Sequence, residues 1–173
     1  MNNISIREAA RSDAELIADF SRETFYNAFA AYNTKANMEK FMNEVFTRER
    51  LMAEPGMPGE IFLLAFNGDQ PAGYVRMREK NVPEEPLGTD NIIEIARIYT
   101  ASHEIGKGIG SLLLKECLSV ARQKQRQYIW LGVWEHNDKA IRFYERHGFK
   151  RFGEHIFMLG DDVQTDWLMF REV

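Results

Sequence analysis

The stretch from Ile92 to Gly110 limits the possible folds more than any other part of the chain. Ile92 to Thr100 is rich in β-branched and aromatic residues and reads as a strand. Gly106-Lys107-Gly108-Ile109-Gly110 follows, and then Ile109, Leu112, Leu113, Cys117 and Val120 recur at the spacing of one helix face. Glycines between a strand and a helix let the backbone approach a ligand closely and turn its N–H groups outward. The helix N-terminus adds partial positive charge, so a phosphate or pyrophosphate is the natural guest. A plain tight turn would carry the same glycines, and the loop by itself leaves both readings open. Two phosphate motifs are excluded. Lys107 precedes Gly108 and Ser111 follows Gly110, so there is no Gly-Lys-Ser/Thr. The dinucleotide-binding fingerprint places its third glycine one residue later and needs a β-α-β start that this chain lacks.

The remaining segments predict a mixed α/β domain. Ile4 to Ala9 alternates apolar and polar residues as a short strand does. Ser12 and Glu15 have the spacing of a capping box, opening a helix through Leu16, Ile17, Phe20 and Thr24. Met38, Phe41, Met42, Val45 and Phe46 predict the apolar face of a second helix, and Pro55-Gly56-Met57-Pro58-Gly59 breaks the chain after it. Ile61 to Phe66 and Ala72 to Arg78 predict strands joined by a hairpin at Asn67-Gly68. Tyr128 to Val133 is a further strand, Asn137 to His147 a helix closed by Gly148, and Phe149 to Phe157 and Thr165 to Arg171 the last strands. No repeat, linker or shift of composition divides residues 1–173, which read as a single domain.

Composition excludes several classes. Asp and Glu number 26 against 22 Lys and Arg, a net charge of −4, which argues against a general nucleic-acid binder. The longest apolar run, Ile61 to Phe66, is too short to cross a bilayer, and Met1 to Arg7 lacks the layout of a signal peptide. A single cysteine excludes an internal disulfide framework, and the four histidines lack metal-ligand spacing. The expectation is a cytoplasmic protein that binds no membrane and no metal.

Three linked segments carry a family resemblance. Glu94-Ile-Ala-Arg-Ile-Tyr-Thr100, Gly106-Lys-Gly-Ile-Gly-Ser-Leu-Leu113 and Asn137-Asp-Lys-Ala140-Ile-Arg-Phe-Tyr144-Glu-Arg-His-Gly-Phe149 resemble, in order and spacing, the GCN5-related N-acetyltransferase (GNAT) superfamily. Glu23-Thr-Phe-Tyr-Asn-Ala-Phe29, Asn37-Met38, Ile129-Trp-Leu-Gly-Val-Trp-Glu135 and Gly160-Asp-Asp-Val-Gln-Thr-Asp166 further resemble bacterial spermidine/spermine acetyltransferases of the PaiA type. The resemblance implies the acyl-CoA N-acyltransferase fold, a central, mixed but mostly antiparallel twisted sheet flanked by helices. It also implies acetyl-CoA as donor and a primary amine, probed first as a polyamine, as acceptor. Other acceptors it admits are a protein or peptide amine and an aminoglycoside. A catalytically silent acyl-CoA-binding regulator is the reading from a different class, and the family's habit admits a homodimer.

Residue roles follow from the same resemblance. Tyr144 takes the place of the general acid that protonates the leaving thiolate; its other reading is an aromatic on the apolar face of its helix. Freeing the lone pair of an alkyl ammonium at pH 7 costs about 4–5 kcal/mol, so a base is useful, and Glu94 is the candidate. Alternatively, Glu94 pairs with Arg76 or Arg97 across the sheet. The backbone N–H of Ile98 falls where the thioester carbonyl is polarised, and the pantetheine arm would run along Ile98, Tyr99 and Thr100 like an added strand. The loop Ile105-Gly106-Lys107-Gly108-Ile109-Gly110-Ser111 would hold the pyrophosphate, with Ile105 standing where the family has Gln or Arg. Asn137 and Ala140 would meet the arm at the next helix start, and Lys107, Lys139, Arg142 and Arg146 are candidates for the CoA phosphates or solvated surface charges. Glu23, Tyr26, Glu94, Trp134 and Glu135, with the acidic Glu84-Glu85, are candidates for the acceptor's cationic groups. Cys117 reads as core.

Overall fold

The computed structural model describes residues 4–84 and 86–173; Glu85 and the first three residues lie outside the description. In chain order the elements are β1 (Ile4–Glu8), α1 (Ala14–Phe29), α2 (Lys35–Lys40), α3 (Arg48–Ala53), β2 (Glu60–Asn67), β3 (Gln70–Arg78), β4 (Ile92–Thr100), α4 (Ile109–Gln123), β5 (Tyr128–Trp134), α5 (Asp138–Arg146), β6 (Lys150–Leu159) and β7 (Asp162–Glu172). The strands form one sheet in the order β1-β2-β3-β4-β5-β7-β6. Every neighbouring pair is antiparallel except β4 with β5. The sheet is therefore mixed and mostly antiparallel, as expected.

The pleat sends alternate side chains to two differently covered faces. On one face Val75, Met77, Ile93, Ile95, Leu131 and Val133 pack against Ile109, Leu113, Leu114, Cys117, Leu118 and Ala121 of α4 and Ile141 and Tyr144 of α5. On the other, Phe62, Leu64 and Tyr74 meet Ile17 and Phe20 of α1, and Leu159 joins Phe25, Met38, Phe41 and Met42. Each fully buried Leu or Ile contributes about 1.5–3 kcal/mol of transfer free energy, so both layers are strongly held.

Local structure departs from the sequence expectation in four places. The Ser12/Glu15 capping box does not form. Instead, a short 3₁₀ turn precedes α1, and the Asp13 carboxylate accepts the Ala10 N–H at 2.8 Å while pairing with Arg7 at 2.8 Å. A carboxylate already held by an arginine is the stronger acceptor. The second helix holds its apolar face through Met38, Phe41 and Met42 and then widens into a π turn, where Phe46 N–H donates to Phe41 O at 2.8 Å. The wider turn carries Val45 out to solvent, although its spacing predicted burial. On α4 the buried stripe runs through Leu114, Leu118 and Ala121, while Leu112 is exposed. Finally, α3 forms between the second helix and the Pro-Gly segment, with Thr47 accepting the Arg50 N–H at its start.

Two motifs that are distant in sequence meet in the fold. Gly160, in the turn between β6 and β7, has φ +65 and lies so close to Asn37 that a Cβ would stand 2.6 Å from Asn37 Cα. Next to it, Asp161 N–H donates to Asn37 Oδ1 at 3.0 Å, and Asp161 pairs with Lys40. Only glycine permits this approach, which seats α2 on the β6–β7 turn.

Candidate active site

The site is built by a failure of pairing in the middle of the sheet. β4 and β5 are in register only at Ile92–Tyr128, Ile93–Ile129 and Glu94–Trp130, and beyond Glu94 no pairing continues. On its other side β4 stays paired with β3, with a register shift at Arg76/Met77 that leaves Ala96 without an opposite residue. Such a bulge bends its strand and increases the local twist, which carries the end of β4 away from β5. Ala96 to Thr100 are consequently half-buried rather than buried, and Gly132, between buried Leu131 and Val133 in the central strand β5, is exposed. Backbone direction follows from one bond. Ala101 N–H donates to Ala72 O of the β3 side at 2.9 Å, so Tyr99 also faces β3, and Ile98 and Thr100 turn their N–H and C=O toward the open side.

The glycine loop lies at the end of this opening. Gly106 and Gly108 have φ +85 and +86, and Gly108 is the left-handed residue from which α4 starts. Leu112 N–H donates to Gly108 O, the first bond of the helix, so the N–H groups of Ile109, Gly110 and Ser111 have no carbonyl partner among the described residues. Gly110 faces Thr100 and the ring of Phe143, so α4, β4 and α5 converge there. Ile105 is 69% exposed, and its N–H donates to Ser102 O in the turn that leads into the loop. Lys107 is not a free cation. Its Nζ stands 3.3 Å from Glu104 Oε2, and Glu104 in turn accepts from Asn67 at 3.2 Å, which ties the loop to the β2–β3 hairpin. The Asn67 hydrogen bond and then Lys107 hold the Glu104 carboxyl below its ordinary value.

On α5, Asn137 Oδ1 accepts the Ala140 N–H at 3.2 Å, so it is the N-cap as expected. Tyr144 is buried beside Phe143 and Phe149. Burial pushes its phenol well up, which keeps it protonated. Lys139, Arg142 and Arg146 are exposed on the outer side of α5. Cys117 is buried, and burial pushes its thiol up as well, which agrees with a core role.

The opposite face of the opening carries the polar groups. Glu94, at its apex, accepts from Arg78 at 2.5 and 2.8 Å and from Asn81 at 2.9 Å. Both carboxylate oxygens are engaged, so Glu94 stands in an ion pair across the sheet. The partner is Arg78 in place of the expected Arg76 or Arg97, because the register sets Arg78 opposite Glu94. Arg76 and Arg97 instead share Glu54, and Arg76 also binds Glu60. Tyr99 stacks on Tyr74 and meets Phe25. Burial pushes its phenol well up, and Tyr74, Tyr144 and Asp166 add in the same direction. Trp134, the last residue of β5, is half-buried and edge-on to Phe29, Tyr32 and His136.

Two expected acceptor residues are elsewhere. Glu23 and Tyr26 lie on the side of α1 turned away from the sheet and line a groove of about 360 Å³ with Met38 and Met42. The helical period separates them from the buried face of Ile17, Ser21, Thr24 and Phe25. Glu135 is at the rim, past the end of β5, 3.9 Å from His136. Glu84 contributes charge near His155, and Glu85 lies outside the described residues.

The sequence reading passed over His155 and Asp166. Pairing across β5, β7 and β6 sets Trp134, Asp166 and His155 side by side. Asp166 Oδ2 stands 3.6 Å from His155 Nε2, and both lean over Gly132. Period-2 alternation along the last two strands places both on this face, but only the strand order brings them beside the opening. The Asp166 carboxylate, helped by Glu84 and Glu94, raises the His155 imidazole above its ordinary 6.5. A raised folded value means the pair stabilises the fold fully below the unfolded value and loses that contribution as pH rises through the folded one. The gap in thermal midpoint between wild type and His155→Gln is therefore expected to be open at about pH 5.5 and closed by about pH 9. A gap independent of pH would contradict this.

Among the described residues, no helix is long and apolar enough to cross a membrane. Residues 22–149 match the acetyltransferase (GNAT) family. An uncharacterised N-acetyltransferase from the pepI 3′ region of Lactobacillus delbrueckii is 34% identical over 98% of this chain and 97% of its own length. A spermidine N(1)-acetyltransferase of Thermoplasma acidophilum is 24% identical over 86% of this chain and 89% of its own length. Among solved structures, the PaiA N-acetyltransferase of Thermoplasma acidophilum in complex with coenzyme A superposes with a TM-score of 0.78 at 23% identity, covering 99% of each chain.

Proposed function

We propose that this chain, which belongs to the acetyltransferase (GNAT) family and is an N-acetyltransferase, acetylates a primary alkyl amine of the polyamine class. The observation that carries the reading is the opening between β4 and β5, with unpaired backbone groups along one edge and a glycine loop at its end. These features fit coenzyme A. The loop N–H groups of Ile109, Gly110 and Ser111 suit a pyrophosphate, Ile98 and Thr100 suit the amides of a pantetheine arm, and exposed Lys139, Arg142 and Arg146 suit the outer phosphates.

Acetyl-CoA, when bound, supplies a thioester carbonyl as electrophile and a thiolate as leaving group. The protein's part divides between the two faces of the sheet. From the α5 side, Tyr144 gives its proton to the departing sulfur, a role that suits a phenol kept protonated by burial. From β4, the Ile98 N–H stabilises charge on the carbonyl oxygen. The amine arrives from the other face as an ammonium and gives one proton to water before it attacks. It gives a second, which replaces the Tyr144 proton through solvent, after the carbon–nitrogen bond forms. Glu94, held by Arg78, serves as a fixed negative charge at the apex. Half-buried Trp134, with Phe29 and Tyr32, offers apolar area to an alkyl chain. The name of the Thermoplasma relative and this acidic, aromatic face support a polyamine in particular.

The test is release of CoA thiol from acetyl-CoA with spermidine, spermine, putrescine, a lysine peptide, an α-amino peptide and kanamycin. Turnover is expected with the polyamines at a kcat/KM at least tenfold above the other amines. Preference for a peptide or for kanamycin would reject the acceptor class and leave the acetyltransferase. Tight acetyl-CoA binding with no turnover of any amine would reject the catalytic reading in favour of a silent binding module.

A further inference from the structure

The Asp166 carboxylate has an unusual setting. Its side chain is only 17% exposed, yet among the described residues no donor lies within hydrogen-bond distance, and its nearest cationic group, His155 Nε2, is 3.6 Å away. Other acids of this face are satisfied: Glu94 by Arg78 and Asn81, and Glu54 and Glu60 by Arg76 and Arg97. A half-buried carboxylate with no protein donor is open to a cation that supplies N–H groups.

Its surroundings define which cation. Asp166 is the register partner of Trp134 on one side and of His155 on the other. Gly132, exposed two residues past the last β4–β5 pair, leaves the floor in front of Asp166 without a side chain. The aromatic side of Trp134 accepts methylene groups and attracts the charge they carry. A cationic head on an alkyl chain suits this arrangement, and an anionic group does not.

We infer that Asp166 is the docking anion for the acceptor's reacting ammonium, in a cation site floored by Gly132 and walled by Trp134 and His155. The inference rests on the acetyltransferase reading above and adds the class of group that the site selects. It places the nitrogen beside the opening on the face opposite Tyr144, so that amine and leaving sulfur are served from opposite sides. It also couples binding to pH. Asp166 from β7 and uncharged Gly132 from β5 lie against His155, and the charges of Glu94 on β4 and Glu84 in the loop after β3 also act on it. A protonated His155 neutralises Asp166 and competes with the incoming ammonium, so the KM for the amine rises as the solution is made more acidic.

Steady-state kinetics of wild type, Asp166→Asn, Asp166→Glu and His155→Gln across pH 6–9, with spermidine and acetyl-CoA varied separately, test the site. Asp166→Asn is expected to raise the KM for spermidine by tenfold or more and to leave that for acetyl-CoA within twofold, and Asp166→Glu to recover part of the loss. His155→Gln is expected to flatten the acid-side rise. An Asp166→Asn enzyme with an unchanged amine KM overturns the inference and leaves the polyamine reading standing. Should wild type prefer another amine, the polyamine reading falls and the same comparison is read on that amine. If no amine is turned over, calorimetry of spermidine on the CoA complex decides: tenfold weaker binding by Asp166→Asn supports the site, and equal or absent binding in both overturns it. Should Asp166→Asn fail to fold, the His155→Gln profile decides, and a pH dependence identical to wild type overturns the inference.

Discussion

Replacing Tyr144 by phenylalanine is expected to lower kcat by about 10²–10³-fold while the KM for acetyl-CoA moves less than about threefold. The substitution removes one oxygen from a buried ring and leaves the packing against Phe143 and Phe149 in place. Fold and cofactor affinity should therefore survive, and only the proton for the departing thiolate is lost. Because burial already holds the phenol well above its ordinary value, wild-type kcat should show no alkaline fall from Tyr144 ionisation below about pH 10. Rates against pH for both enzymes, with midpoints measured in parallel, check this. An unchanged kcat would return Tyr144 to its other reading, an aromatic of the helix's apolar face.

Replacing Glu54 by alanine is expected to destabilise the protein by about 3–5 kcal/mol, because it leaves a buried guanidinium without its counter-charge. Glu54, at the end of α3, binds Arg76 at 2.6 Å and also Arg97, whose side chains are 15% and 9% exposed. Arg76 keeps Glu60, whereas Arg97 keeps, among the described residues, the face of the Phe46 ring and the uncharged Tyr74 phenol beside it. For a chain of this size the loss corresponds to a midpoint lowered by roughly 10–15 °C. The effect should reach the site, since Arg97 adjoins both the Ala96 bulge and Ile98. Combining Glu54→Ala with Arg97→Met is expected to recover much of the stability, because an apolar side chain in the same space needs no counter-ion. Calorimetric midpoints of the single and double variants check this, and a single variant within about 1 kcal/mol of wild type would mean that water reaches Arg97.

What could be read before the fold was known follows the range of the interactions. Strand and helix spans depend on local periodicity, and β4 was read at Ile92–Thr100 as it stands. The left-handed Gly108 and the Asn137 cap are also local, since each is decided within one turn of the chain. The π turn after α2 was not legible, because tertiary packing around Phe25 and Phe41 rather than spacing widens the helix there. Arg78 as the partner of Glu94 was missed for a related reason. A one-residue bulge shifts every pair beyond it, and neither strand carries a signal for it.

By itself the sequence determined the class of domain, the strand–glycine loop–helix unit and the place of Tyr144 on the helix that is α5. Those properties depend on backbone freedom and side-chain type over a few neighbouring residues. Tertiary structure alone decided where β4 and β5 part, which acids are already paired, and which carboxylate is left open. Glu23 looked like an acceptor residue and lies on the far side of α1, while Asp166 and His155, on separate strands, meet over a glycine of a third. Neighbours of this kind are set by strand order and register, and a linear pattern of residue types does not encode them pair by pair.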